Sequence, residues 1–336
     1  MTLQKDPNTL PDKFGSTDMV YIIAGNMQVS GNSHLIMNLN SRDGGGLFSL
    51  TGVLKVESGA NVEIKNINNF VINGLQGAYI SVQKGGTLKI NNVNTVISKS
   101  SGNAFSILNN NSALYIEADV YNYDKNSLEG GGNFTQISNN AKTTIDGSFY
   151  NIGLNSGVQG REEALVHING GTFTVNGNFE NGKNDTYASS DYYGVGNVKA
   201  DNGALITVNR NFISDAQGDS SNGLVRYSST VDLNNANLVV KGKFDVSRTD
   251  IYLKNTAKIY TTDFTLNNTA TMNFIGGDTG FGYLNASSSA SFNGETKFSL
   301  NGAIAKNDNM SYLFLESKDV SGNIQEGEVT VVDYYS

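Results

Sequence analysis

The sequence predicts an all-β protein folded as a parallel β-helix of about ten coils with a cap at each end. Three observations favour this fold. A short motif of alternating apolar residues recurs along the chain, a phenylalanine follows it at a fixed distance, and pairs of glycine and asparagine separate the apolar segments. The chain has 336 residues, with 38 glycines, 2 prolines and no cysteine. Because 10 % of the residues are aromatic and only 16 % are charged, the composition differs from that of disordered chains.

The recurring motif is a small residue followed by apolar residues two and four positions later. Alternation with period two indicates strands with one buried face. The clear copies lie 26 to 33 residues apart, which suits the coils of a β-helix better than propeller blades of about 40 residues. Clear copies begin at Ser33, Ala60, Gly86, Ser112, Ala141, Gly171, Ala204 and Ala236, and weaker copies begin at Ala257, Ala270 and Ala290.

Five repeats carry a phenylalanine eight residues after the small residue. Identical residues at one position of successive coils are expected to stack in a buried column, where aromatic rings pair favourably. Each coil then contains a motif strand, a phenylalanine strand and a third strand such as residues 164–168, with Asn-Gly or Gly-Gly pairs at the turns. The predicted column consists of Phe149, Phe179, Phe212, Phe244 and Phe298.

The predicted organisation has three parts. Residues 1–25, which contain both prolines, are expected to form an N-terminal cap, because the open edge of a β-helix needs covering. Residues 26–305 are expected to form the coils, and residues 306–336, which break the repeat, a C-terminal capping segment. Longer loops are expected near 121–132, 151–163 and 181–197, where the repeat lengthens.

Charge and composition exclude several classes of protein. The net charge is −8 and no basic run of five residues occurs, so nucleic acid is not expected as a partner. No apolar stretch is long enough for a transmembrane helix, and residues 1–15 lack the charged and apolar regions of a signal peptide. The absence of cysteine excludes thiol chemistry. No cofactor and no metal site are expected.

Several of the repeated stretches resemble the passenger domains of bacterial autotransporters. They are NGGTFTVNGNF at residues 169–179, KGGTLKINNV at residues 84–93 and the terminal SYLFLES at residues 311–317, and the likeness covers about residues 20–317. The resemblance implies a right-handed parallel β-helix that is secreted or displayed on the bacterial cell surface. It also implies a non-catalytic function of the adhesin or vacuolating-cytotoxin type. Because the signal peptide and membrane barrel of such proteins are not found, we expect a passenger segment.

The longer loops supply the candidate binding residues. Loops that interrupt a regular solenoid emerge on one face and often bind partners. Tyrosine among serine, asparagine, glycine and aspartate is also the composition of antibody binding loops. The alternative is that these tyrosines only pack the loops onto the coils. Expected partners are a host-cell surface protein or glycan, or a second copy of the chain. The candidates are Tyr187, Tyr192, Tyr193, Asp185 and Asp191, with Tyr121 and Tyr123 nearby.

Two alternatives to an adhesin stay open, namely a polysaccharide lyase or glycosidase and a toxin-like passenger that oligomerises. A lyase or glycosidase needs clustered carboxylates on neighbouring coils, for which Asp146, Glu180 and Asp245 are the candidates. The alternative is that these three residues are ordinary surface carboxylates of an acidic protein. The only histidines, His34 and His167, are expected to face outward about five coils apart, and no Gly-x-Ser-x-Gly motif occurs. We therefore expect no enzymatic activity.

Overall fold

All regular structure in the described part of the chain is β-strand, and no helix occurs there. The computed structural model describes residues 3–4, 20–23, 25–41, 46–73, 78–100, 105–125, 133–154, 164–182, 195–216, 228–277, 280–301, 313–322 and 330–332. Within these ranges no helix is long and apolar enough to cross a membrane. The strands form two sheets, called here the large sheet and the small sheet.

The large sheet has 18 strands and contains the motif strands and the phenylalanine strands. In some repeats the motif strand and the phenylalanine strand form one continuous strand, as in β7 and β9 below. Numbered in chain order, its strands are β1 (Leu3–Gln4), β2 (Val20–Ile23), β4 (His34–Ser41), β5 (Leu47–Leu50), β7 (Asn61–Asn73), β9 (Thr87–Ser100), β11 (Ala113–Ile116), β12 (Asp119–Lys125), β14 (Lys142–Ile145), β15 (Phe149–Leu154), β17 (Thr172–Val175), β18 (Phe179–Asn181), β20 (Leu205–Val208), β21 (Phe212–Asp215), β23 (Asn237–Ser247), β25 (Lys258–Leu266), β27 (Tyr283–Phe292) and β29 (Leu315–Gly322).

The small sheet has 12 strands and contains the third strand of each repeat. Its strands are β3 (Met27–Val29), β6 (Val53–Glu57), β8 (Tyr79–Gln83), β10 (Phe105–Asn110), β13 (Asn133–Ser138), β16 (Ala164–Asn169), β19 (Gly196–Asp201), β22 (Ser229–Asn234), β24 (Thr249–Lys254), β26 (Thr271–Gly276), β28 (Glu295–Asn301) and β30 (Thr330–Val332).

Strands pair in parallel with their counterpart in the next repeat. β14 pairs with β17, β15 with β18, and β16 with β19, all in parallel. Among the named strands, only β1 and β2 pair antiparallel. The predicted all-β fold with parallel pairing between repeats is therefore confirmed. Among the described residues, parallel pairing extends from β2 to β29 and β30.

The core lies between the two sheets and contains a column of aromatic side chains. Phe149, Phe179, Phe212 and Phe244 occupy one register position of the large sheet and are fully buried. Neighbouring rings have centroids 5.1, 4.6 and 4.8 Å apart, close enough for favourable aromatic contacts. The column extends to residues that the fixed spacing did not predict, which are Phe48, Phe70 and Phe264.

The expectation that Phe298 continues this column is wrong. Phe298 lies in β28 of the small sheet, where it pairs with Phe274 and stacks on it at 5.2 Å. In the large sheet, Ala290 takes the phenylalanine position beside Phe264. The motif copies at Ala270 and Ala290 are therefore out of register, because alternation alone does not tell to which sheet a strand belongs.

The turn from the small sheet back to the large sheet contains residues with a left-handed backbone in almost every repeat. Glycine occupies this conformation at Gly59, Gly85, Gly170 and Gly203. Residues with side chains also adopt it, which is uncommon outside asparagine and aspartate. They are Ser58, Lys84, Asn111, Asn139, Asn140, Asn202, Asn235 and Asn255.

Candidate interaction surface

The candidate interaction surface is the border where phenylalanine strands of the large sheet end and strands of the small sheet begin. Connections across this border are short in several repeats, for example residues 51–52 and 293–294, whereas β29 and β30 are joined by the longer segment 323–329. The connections are long in four successive repeats, at residues 126–132, 155–163, 183–194 and 217–227, which all lie outside the described residues. Because the flanking strands pair side by side, these segments leave and re-enter the sheets along one line.

The ends of the segment 183–194 are fixed by backbone hydrogen bonds. The N–H of Gly182 donates to the carbonyl of Asn151 at 2.8 Å. At the other end, the carbonyl of Val195 accepts from the N–H of Gly153 at 3.0 Å and from that of Ala164 at 3.2 Å. Both ends of this segment are therefore joined to the preceding repeat, so the positions at which the segment leaves and re-enters the sheets are fixed.

Most of the tyrosine and aspartate candidates lie outside the described residues. These are Asp185, Tyr187, Asp191, Tyr192 and Tyr193.

The remaining two candidates lie in β12. Tyr121 stacks on Tyr150 of the next repeat, with ring centroids 4.5 Å apart and an angle of 8° between the rings. Both rings pack against a small apolar cluster that is separate from the core and includes Ile97 and Ile152. Burial raises the pKa of the Tyr150 hydroxyl. Tyr123 pairs through its backbone with Ile152. Tyr121 therefore packs onto the sheet, at the strand that leads into residues 126–132.

A line of buried polar side chains runs directly beneath this border. Asn122, Asn151, Asn181 and Ser214 share one register position, two residues after the phenylalanine column, and none has solvent exposure. The amide of Asn122 donates to Asn151 at 2.7 Å, that of Asn151 to Asn181 at 2.8 Å, and that of Asn181 to Ser214 at 3.0 Å. The Ser214 hydroxyl then bonds that of Thr249 at 3.0 Å. We call this row the amide ladder.

The amide ladder also satisfies backbone carbonyls of the small sheet. Asn151 Nδ2 lies 3.2 Å from the carbonyl of Ala164 and 3.1 Å from that of Asn197, and Asn181 Nδ2 lies 2.9 Å from that of Gly196. A side chain at Gly196 would clash, because its Cβ would fall 2.2 Å from Asn181 Oδ1. Buried carbonyls without a donor are costly. The ladder therefore stabilises the points where the chain re-enters the small sheet.

The sequence carried a signal for the amide ladder that the motif search did not use. Phe149 and Phe179 are each followed by an asparagine two positions later, and Phe212 by Ser214. In a strand, residues two apart share a face. An asparagine two positions after a buried phenylalanine therefore faces the core.

An ion pair between Arg248 and Asp215 lies at the C-terminal end of the amide ladder. Arg248 binds Asp215 with two hydrogen bonds, from Nε at 2.7 Å and from Nη2 at 2.9 Å. The hydrogen bond to Asp215 raises the pKa of the Arg248 guanidinium. Arg248 itself forms the connection between β23 and β24, where no long segment is inserted, and has a left-handed backbone with φ of 42°. Asp215 lies at the start of the segment 217–227, so the pair fixes one end of it.

Two of the carboxylates expected for a lyase or glycosidase site, Asp146 and Asp245, have separate partners. Asp146 accepts hydrogen bonds from Tyr115 at 2.8 Å and from Asn176 at 2.9 Å, and these bonds lower its pKa. Glu180 lies in β18, in register between Tyr150 and Ile213.

Asp245 lies two repeats from Glu180 along the same strand position, and pairs with Lys243 at 2.9 Å. In the described ranges no group of three histidine, aspartate or glutamate side chains is placed to hold a metal ion.

The two histidines lie in different sheets. His34 is exposed at the start of β4, on the large sheet. His167 lies in β16, on the small sheet, and its Nε2 is 2.9 Å from the carboxylate of Asp201. Lys199 approaches the same carboxylate at 3.6 Å. The His167 contact is therefore a surface pair between neighbouring repeats.

Comparison with known proteins provides no relative. The chain matches no protein-family model, no curated protein and no solved structure.

Proposed function

We propose that the chain folds as a right-handed parallel β-helix of about ten coils with terminal caps. The order of the strands supports this: the chain passes from a motif strand to a phenylalanine strand, then to a strand of the small sheet, and then begins again. Each strand pairs in parallel with its counterpart one repeat later, as one full turn per repeat requires. Right-handed turns are those that parallel crossover connections almost always take.

We further propose that this β-helix is a non-catalytic passenger domain, secreted or displayed on a bacterial cell surface, and that it functions in adhesion or host-cell interaction. One observation carries the proposal. Four successive repeats carry long connections along one border, above a buried ladder that holds the bases of several of them. A regular scaffold that changes only in its surface connections is typical of proteins that bind through those connections.

The chemistry of these connections suits recognition of a protein or glycan surface. The segment 183–194 contains Tyr187, Tyr192 and Tyr193 together with Asp185 and Asp191. Tyrosine provides a large contact area with little loss of side-chain entropy, and the aspartates provide hydrogen-bond acceptors. Because both ends of the segment are hydrogen-bonded to the preceding repeat, less entropy is lost when it binds. We therefore place the receptor contact on this segment.

The test is binding of the purified chain to host cells, measured by flow cytometry. In one variant, a Gly-Ser linker of equal length replaces residues 183–194 while Gly182 and Val195 are kept. In a matched control the same replacement is made at residues 155–163, which contain no tyrosine. We expect saturable binding that is lost in the first variant and kept in the control.

Other outcomes would assign the protein differently. Equal binding by both variants would place the contact outside the segment 183–194. No binding to cells, together with depolymerisation of an acidic polysaccharide, would support the lyase or glycosidase. A size in solution that grows with concentration, with no binding to cells, would support the oligomerising passenger.

A further inference from the structure

A groove of about 400 Å³ follows the turn from the small sheet to the large sheet in the third to fifth repeats. All of its lining residues have polar side chains, of which one is a lysine and none is a carboxylate. It lies at the opposite end of the small-sheet strands from the border that carries the long connections. The lining residues are Gln83, Lys84, Asn110, Asn111, Asn139 and Asn140.

Carboxamides dominate this groove and offer both donors and acceptors to a ligand. Each asparagine or glutamine side chain carries two N–H donors and a carbonyl acceptor. Within the groove, Asn139 donates to Asn110 at 2.9 Å, and this bond orients both amides. Asn111, Asn139 and Asn140 are exposed. The side chain of Lys84 is 70 % exposed, and its ammonium is 3.9 Å from the carboxylate of Glu57. The ammonium therefore remains accessible beside the amides.

The backbone of the groove gives a second, independent reason to assign it a function. Lys84, Asn111, Asn139 and Asn140 all have left-handed backbones, with φ of 52°, 49°, 51° and 61°. Asparagine tolerates this conformation, whereas lysine rarely adopts it. Glycine would fit such positions without strain. Asparagines share this conformation at other turns, but Lys84 is the only lysine among the described residues to adopt it, which suggests that its side chain is used.

We propose that this groove binds a carbohydrate chain. The hydroxyl groups of a sugar are both donors and acceptors, as carboxamides are, so neighbouring hydroxyls pair with the amides of neighbouring repeats. The Lys84 ammonium donates to a further hydroxyl or to an acidic substituent. The groove runs across the repeats, and a linear glycan extends along the same direction. This site is separate from the border proposed for receptor contact and does not depend on it.

The left-handed backbones allow a test that leaves the fold intact. A groove variant combines Lys84→Gly, Asn111→Gly and Asn140→Gly, which removes three polar side chains where glycine is favoured. A control variant combines Asn202→Gly, Asn235→Gly and Asn255→Gly. These have the same turn conformation in later repeats but do not line the groove. Circular dichroism and the melting temperature establish that both variants are folded.

Binding is measured by array and by calorimetry with cellohexaose, maltohexaose, chitohexaose, a hyaluronan hexasaccharide and tetragalacturonate. The wild-type chain and the control are expected to bind at least one of these. The groove variant is expected to bind it roughly a hundredfold more weakly, because three hydrogen-bonding groups are lost.

Two results would overturn the assignment of the groove: no binding of any probe by the wild-type chain, or equal binding by the groove variant. The replacement of residues 183–194 separates the two proposals. It is expected to abolish cell binding and to leave oligosaccharide binding unchanged, so either proposal can fail without the other.

Discussion

The same register position of the large sheet is polar in the central repeats and apolar in the outer ones. Centrally it holds Asn122, Asn151 and Asn181. Towards the ends it holds Leu50 and Ile72 on one side, and Leu266 and Phe292 on the other. All of these side chains are buried, so exposure does not explain the difference.

What changes between the two regions is the connection that follows. Where the position is apolar, the chain crosses to the small sheet within a few residues, as at 51–52 and 267–270. Where it is asparagine, a long segment follows, and the side chains of Asn151 and Asn181 bind carbonyls of the strand at which the chain returns. The buried asparagines at this register position therefore mark points where the regular path is interrupted, and Asn151 and Asn181 supply hydrogen bonds to the returning strand.

The largest expected effect on stability comes from placing an asparagine, as found in the central repeats, at the same register position of an outer repeat. Leu266→Asn buries an amide between Val246 and Phe292, where it has no neighbouring ladder. Loss of apolar burial and an unsatisfied amide together are expected to lower the free energy of unfolding by about 3–5 kcal/mol. Urea unfolding followed by circular dichroism measures this change. The volume-conserving Ile72→Leu is the control, expected to cost less than about 1.5 kcal/mol. If Leu266→Asn and Ile72→Leu lowered the free energy of unfolding equally, the outer repeats would not require an apolar residue at this position.

The reverse exchange is expected to have a smaller effect. Asn151→Leu fills the position with an apolar side chain but leaves the carbonyls of Ala164 and Asn197 without the amide donor. We expect a loss of about 2–3 kcal/mol in the same urea experiment, because lost hydrogen bonds outweigh the gain in apolar burial. Amide hydrogen exchange should increase first at β16 and β19. A variant as stable as wild type would show that the ladder is dispensable.

The smallest expected effect concerns the surface of the central repeats. Burial, followed by the hydrogen bond to Asp146, raises the pKa of the Tyr115 hydroxyl to about 12. Because this folded-state pKa lies above the ordinary value of 10.0, the neutral hydroxyl stabilises the fold fully below pH 10. This contribution is lost as the pH rises from 10 towards about 12. Asp146→Asn is expected to lower the pKa of Tyr115.

The measurement is a spectrophotometric titration of the tyrosines near 295 nm, with Tyr115→Phe identifying the signal. An unchanged titration in Asp146→Asn would show that burial alone sets this pKa, and that Asp146 contributes nothing to it.

The all-β structure with parallel pairing between repeats could be predicted because the repeat is visible in the sequence, but the full phenylalanine column could not. The fixed spacing located Phe149, Phe179, Phe212 and Phe244. Phe48, Phe70 and Phe264 were missed because they lie 15, 10 and 7 residues after the small residue of their repeats, since the number of residues between the motif strand and the phenylalanine strand differs between repeats. A local irregularity of this kind alters sequence spacing without altering which residues pair.

The candidate surface was predictable only in outline. The lengthened repeats indicated where connections grow, near 121–132, 151–163 and 181–197. The amide ladder was not predicted, since asparagine is usually read as a turn residue. The groove depends on residues from three repeats, such as Lys84, Asn111 and Asn140, that only the pairing of strands brings together.

The amide ladder also has a consequence for how sequences of this kind diversify. Each central connection departs just after a ladder residue, from Asn122 to Ser214, and the chain returns to a strand of the small sheet in the same repeat. We therefore expect that each insertion can lengthen, shorten or be replaced without a compensating change in the apolar interior. Sequence variation is then expected to accumulate in these connections while the strands and the core stay constant.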